Sequence, residues 1–139
     1  MRWMIRSQFP YLWLYRRVRA PAPEVWRVLI DTECWPLWGP SVRAVACPER
    51  RIALGTSGRI QTALGFWLPF QVTEFDPERM SWRWRVGRVP ATGHRVQALG
   101  GGQARVGFQV PLVAAHYLVV CGMALRRIER LLTRERAGD

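Results

Sequence analysis

The repeat of apolar residues changes once in the second half of this chain, and that change constrains the fold more than any other feature. Met80, Trp82, Trp84 and Val86 alternate with Ser81, Arg83 and Arg85, the period of two that sends successive side chains to opposite faces of a strand. One apolar face and one basic face is the pattern of a half-buried antiparallel strand. The alternation returns as His94, Val96 and Ala98 against Arg95, Gln97 and Leu99. It returns again, after a Gly100-Gly101-Gly102 turn, as Val106, Phe108 and Val110 against Arg105, Gly107 and Gln109. Beyond Val110 the spacing becomes helical, with Tyr117, Val120/Cys121, Ala124, Ile128 and Leu131/Leu132 on one stripe. A single long helix from about Leu112 to Arg136 is predicted, its terminal arginines complementing the helix dipole.

The first half reads as lead-in elements and further strands. Phe9 to Val18 carries two interleaved apolar phases, Tyr11/Trp13/Tyr15 and Leu12/Leu14/Val18, which suits a strand with apolar neighbours on both faces. Ala20-Pro21-Ala22-Pro23-Glu24 stops it and opens a helix from about Pro23 to Ile30, where a proline in the first turn loses no hydrogen bond. Asp31 or Thr32 caps a second short helix through Glu33-Cys34-Trp35, and Gly39-Pro40 ends it. Val42 to Cys47 is a short strand, and Gly55 to Leu64 with Phe66 to Phe75 reads as a hairpin around Gly65. Asp76-Pro77 makes the next turn. With 139 residues and 49% hydrophobic content, the chain forms one domain, 1–139, with 1–8 as a loose N-terminal extension.

Three motifs narrow this order of elements. Ala20-Pro-Ala-Pro-Glu-Val-Trp26 followed by Asp31-Thr-Glu-Cys-Trp35-Pro36-Leu-Trp38 resembles the opening signature of the START-like (SRPBCC) superfamily, in its polyketide cyclase/dehydrase branch. Val72-Thr-Glu-Phe-Asp-Pro77 with Met80-Ser-Trp-Arg-Trp84 resembles that family's middle hairpin, and Gly55-Thr-Ser-Gly58 its Gly-Thr strand start. The resemblance implies an α+β helix-grip fold: a curved antiparallel sheet of six to seven strands around a long C-terminal helix, with two short helices after the first strand. It also implies binding or transport of a hydrophobic small molecule, a lipid or a polyketide-like compound. A polyketide cyclase or aromatase is the enzymatic alternative, and a basic membrane- or nucleic-acid-interaction module is a third.

A curved sheet that one helix cannot fill leaves an apolar gap between them. The residues expected around that gap are Ile60, Thr62, Val72, Trp82, Trp84, His94, Val96, Phe108, Tyr117 and Val120, with Leu64, Val110, Cys121 and Ala124 beside them. Two tryptophans on one strand are bulky enough to fill much of the space outright. His94 shares the inward phase, and a histidine titrates near neutral pH, so it is the one candidate general acid/base. A histidine hydrogen-bonded to backbone or water is the alternative role. His116 is a weaker candidate. Glu74 stands where the family motif often has an acid, with a structural role as open as a functional one. The chain has no lysine, which excludes Schiff-base chemistry. Neither a cofactor motif nor a metal-ligand spacing is present, so no cofactor and no metal are expected.

All 21 basic residues are arginine against ten acids, a net charge of +11. Such a balance favours an anionic partner, here a membrane surface met through arginines, since no nucleic-acid motif accompanies the charge. Arg83, Arg85 and Arg95 are expected on the convex face. Phe66-Trp67-Leu68-Pro69-Phe70 is an apolar edge that, if exposed, could dip into a bilayer or gate the cavity. Three cysteines in no CxxC spacing read as free thiols of a cytoplasmic protein.

Overall fold

A computed structural model describes residues 3–8, 11–111 and 118–137. The strands are β1 (Trp3–Gln8), β2 (Tyr11–Val18), β3 (Val42–Ala46), β4 (Ser57–Thr62), β5 (Trp67–Asp76), β6 (Ser81–Val86), β7 (Val89–Gly100) and β8 (Gln103–Pro111). Every pairing is antiparallel, in the order β1-β2-β8-β7-β6-β5-β4-β3. The helices are α1 (Ala22–Ile30), α2 (Trp35–Trp38) and α3 (Leu118–Ala137). This is the α+β helix-grip architecture that the resemblance implies, with one strand more than expected. Residues 3–8 are not a loose extension: Trp3 pairs with Arg16 and Gln8 with Tyr11. The pairing satisfies backbone groups that β2 would otherwise present as an open sheet edge.

Helix α1 follows Pro21, has Pro23 in its first turn and buries Val25, Trp26, Val28 and Leu29. The link to α2 is tied down by Asp31, which is 1% exposed. Its Oδ1 accepts the Glu33 backbone N–H at 2.9 Å, and Arg50 Nε donates to both carboxylate oxygens at 3.2 and 3.0 Å. The Thr32 N–H donates to the Arg50 carbonyl at 2.7 Å. These bonds hold the single turn of α2, and so Trp35 and Trp38, over the sheet.

Helix α3 is described from Leu118, and the expected start at Leu112 lies outside the described residues. Its inner stripe of Cys121, Ala124, Leu125, Ile128 and Leu132 is buried, while Arg126, Arg130 and Arg134 are exposed. Arg16 Nη2 donates to Glu129 Oε1 at 2.8 Å, joining β2 to α3. No described helix is long and apolar enough to cross a membrane.

Register separates the two faces of the sheet. Leu14, Phe108, His94 and Trp82 lie in one row across β2, β8, β7 and β6, and all four are buried. A bulge between Val72 and Glu74 lets both Val72 and Phe75 contribute to the same core.

Candidate functional site

The interior beneath α2 and α3 is a stack of rings. Trp35 lies on Trp82 with centroids 5.5 Å apart and planes 8° from parallel. Trp82 lies on His94 at 4.0 Å and 19°. Phe108 meets His94 edge-on at 4.8 Å, Trp38 meets Phe108 edge-on at 5.6 Å, and Trp84 meets Trp35 edge-on at 5.1 Å. Offset and edge-on contacts are those that aromatic quadrupoles favour. Trp35 and Trp38 reach these places because they sit three apart on one turn. Their indole N–H groups donate back to the last carbonyls of α1, Leu29 at 2.9 Å and Val28 at 3.1 Å.

Polar groups thread the stack. Trp84 Nε1 donates to Thr92 Oγ1 at 3.2 Å, and Thr92 Oγ1 is 3.0 Å from His94 Nε2. With the Thr92 oxygen accepting from Trp84, its own O–H is free to donate to Nε2, which leaves the ring proton on Nδ1. Nδ1 of His94 and Nε1 of Trp82 are both buried without a hydrogen-bond partner among the described residues. Burial pushes the His94 imidazole down to about 3; nearby Arg83 adds to the shift, and the Trp82 backbone opposes it through an approach that falls short of hydrogen-bond geometry. The ring is therefore neutral at physiological pH.

The space left between Trp35, Trp38, Trp84, Thr92, His94, Phe108 and the inner face of α3 is about 30 Å³, room for about one water molecule. Trp84, His94, Phe108 and Val120 border it. Ile60, Val72, Trp82 and Val96 are buried in the same core but do not border the gap. Thr62 is elsewhere: it sits at the β4–β5 tip, where its Oγ1 accepts the Phe66 N–H at 3.2 Å. That turn claims the hydroxyl, so Thr62 is no part of a cavity wall. Tyr117 and His116 lie outside the described residues. Glu74 is on the outer face, its Oε2 4.0 Å from Arg83 Nε. Sequence reasoning placed Trp35 and Trp38 only in the opening motif, not at the site, and missed Thr92. The spacing of the two tryptophans carried the signal, whereas a threonine one step along the strand from His94 carried none. The Cys121 thiol borders the gap too, and burial raises it to about 12, so it is inert as a nucleophile.

The outer face of the sheet is built from other contacts. Trp13 stacks on Tyr15 at 5.5 Å and 10°, and the two rings are only 8% and 4% exposed. Arginines cover this face: Arg95 lies over Trp13 at 4.4 Å, Arg105 over Tyr15 at 4.3 Å and Arg83 over Tyr11 at 5.0 Å. Arg95 Nη2 also donates to the Tyr15 hydroxyl at 2.7 Å. The neighbours expected to be apolar here are guanidinium groups, because strands β6 to β8 present their basic phase on the same side. A Cβ on Gly107 would lie 2.6 Å from the Tyr15 ring, so this position admits only glycine without a shift. Arg79, Arg83 and Arg95 also border a shallow concavity of about 650 Å³.

A family model described as polyketide cyclase/dehydrase and lipid transport matches residues 15–136 of this chain. Among solved structures, the Zhui aromatase/cyclase from a Streptomyces species superposes with a TM-score of 0.70 at 15% identity, covering 94% of this chain and 95% of its own. A protein from Nitrosomonas europaea superposes with a TM-score of 0.69 at 19% identity, covering 95% and 99%. One from Mycobacterium smegmatis gives 0.67 at 14%, covering 95% and 98%. At these identities the likeness speaks to the fold. No curated protein sequence matches the chain.

Proposed function

The chain belongs to the polyketide cyclase/dehydrase and lipid transport family, and from that premise we propose that it binds a small, ring-bearing apolar molecule between the sheet and α3. One observation carries the reading: two buried ring nitrogens in the stack, Trp82 Nε1 and His94 Nδ1, have no hydrogen-bond partner among the described residues. An unpaired buried donor is destabilising by about 1–3 kcal/mol, and a ligand carbonyl or hydroxyl oxygen would relieve it. The present gap has room for only about one water, so a ligand must part α3 from the ring stack by about the thickness of an aromatic ring, roughly 3.5 Å. The small side chains of Cys121 and Ala124 line the helical side of that gap. The arginine excess adds an anionic lipid surface as the place where such a ligand is met.

The cyclase alternative needs His94 to take a proton from the substrate. A base held at about 3 is far from the near-neutral value at which proton abstraction is most effective, and this favours binding over turnover.

Titration with α-tetralone and with tetralin, followed by tryptophan quenching, tests the proposal. The ketone should bind saturably and about tenfold tighter than the hydrocarbon, the worth of one hydrogen bond to a buried donor. His94→Ala should change ketone affinity by less than about tenfold. Absence of saturable binding by both probes, together with no apolar molecule carried through purification on native mass spectrometry, overturns the binding reading. A poly-β-keto cyclisation rate that collapses in His94→Ala replaces it with catalysis.

A further inference from the structure

Two neighbouring turns at one end of the sheet leave their largest apolar side chains in water. At the β4–β5 tip Leu64 is 84% exposed, Phe66 66%, Trp67 44% and Leu68 38%. Val89, which opens β7, is 65% exposed. The β6–β7 turn meets β5 a few residues from that tip: Phe70 pairs with Val86, and the Gly87 N–H donates to the Pro69 carbonyl at 2.7 Å. The tip is well formed, with the Thr62 N–H donating to the Phe66 carbonyl at 2.7 Å and Gly65 turning at φ +94°. Five large apolar residues held in one place on a fixed scaffold make a patch of the kind that marks an interaction site.

The surrounding charge selects the partner. Arg59 lies over the Trp67 ring at 5.6 Å, and Arg59 and Arg88 are both exposed. No Asp or Glu occurs between Glu49 and Glu74 or between Glu78 and Glu129, so both turns lie in acid-free stretches of the chain. An apolar tip with tryptophan at its base and arginines behind it matches the layering of a lipid interface: acyl chains, then headgroups, then anionic charge. Either signal alone gives weak membrane association, and the two together give stable docking. A second copy of this chain is a poor occupant, since each copy carries +11 and would bring like charge against like.

We propose that the β4–β5 tip and the β6–β7 turn form a docking surface for the leaflet of an anionic bilayer. Leu64, Phe66, Trp67, Leu68 and Val89 enter below the headgroups, and Arg59 and Arg88 meet lipid phosphate and carboxylate groups. The docking needs nothing from the interior stack, so failure of ketone binding leaves it intact. Loss of docking likewise leaves the interior reading untouched.

Co-sedimentation of the full chain with phosphatidylcholine vesicles, with and without phosphatidylserine, tests it. Binding should require phosphatidylserine and weaken with salt. Phe66→Ser combined with Trp67→Ser should lower the partition coefficient at least about tenfold, because two rings no longer leave water. Arg59→Gln and Arg88→Gln should each lower it about fivefold. The mutated side chains are exposed, so melting temperatures should not change; should the double variant fail to fold, Leu64→Ser alone repeats the test. Docking is overturned if the chain does not bind phosphatidylserine vesicles, or if the double variant binds as well as the parent, which would make the attraction purely electrostatic. It is also overturned if light scattering finds a dimer that the double variant dissolves, because a second copy would then cover the tip.

Discussion

The two faces of the sheet bury aromatic rings by different physics. On the inner face Trp35, Trp82, Trp84 and Phe108 are covered by other rings and by α2 and α3, and the histidine in the stack is held neutral. On the outer face Trp13 and Tyr15 are equally buried, yet their cover is a guanidinium group each, Arg95 over Trp13 and Arg105 over Tyr15, carried on long aliphatic stems. Arginine can do this because its planar, weakly hydrated cation stacks on a ring while its edge stays available for hydrogen bonds. Burial by rings should be stiff and sensitive to volume; burial by arginines should be replaceable.

The sharpest way to break the comparison is to delete a ring from the inner stack. Trp82→Ala should destabilise by about 3–5 kcal/mol, because the cavity it leaves lies between two stacked partners. Urea unfolding measures it, and a loss below about 1 kcal/mol would mean that the inner stack can collapse.

Acid should act next, and on the inner face alone. His94 titrates at an ordinary 6.5 when unfolded and at about 3 when folded, so between those values the unfolded chain binds the extra proton. Stability is then full above pH 6.5 and falls as the pH drops toward 3, by up to about 1.4 kcal/mol per pH unit. Subtracting the pH–stability curve of His94→Gln from that of the parent chain isolates this slope; two parallel curves would mean that the ring is not desolvated.

Gly107→Ala tests the outer face by overfilling. The new methyl would meet the Tyr15 ring at 2.6 Å and Trp13 at 3.4 Å, so one ring must move, destabilising by about 1–3 kcal/mol. A smaller effect would show that the arginine-covered face yields where the inner face does not. The mildest change is Arg95→Gln, which removes the cation over Trp13 and the donor to Tyr15. A loss of about 0.5–2 kcal/mol in thermal unfolding is expected, less than for any inner-face ring.

Periodicity alone determined which residues point to which face. Alternation in Met80–Val86, His94–Ala98 and Val106–Val110 is a backbone consequence, because each peptide unit reverses the side-chain direction. The element order, the sheet-and-helix architecture and the inward phase of Trp82, His94 and Phe108 were therefore legible. The opening motif likewise located α1 and α2, since a proline in the first turn of each, with Glu24 beside it in α1, acts locally. Tertiary structure decided everything that depends on distance. A cavity was expected where about 30 Å³ remains, because whether Trp35 and Trp38 fill a gap depends on where Asp31 and Arg50 fasten α2, and those residues are 19 apart in sequence. Thr62 was assigned to the wall by its phase, yet the turn bond to Phe66 overrides phase at a strand end. The pairing of residues 3–8 was hidden for the same reason: a six-residue strand shows little pattern until the open edge of β2 supplies its partner. Arginines over Trp13 and Tyr15 were likewise invisible, because the ring and its cation come from different strands and only register brings them together.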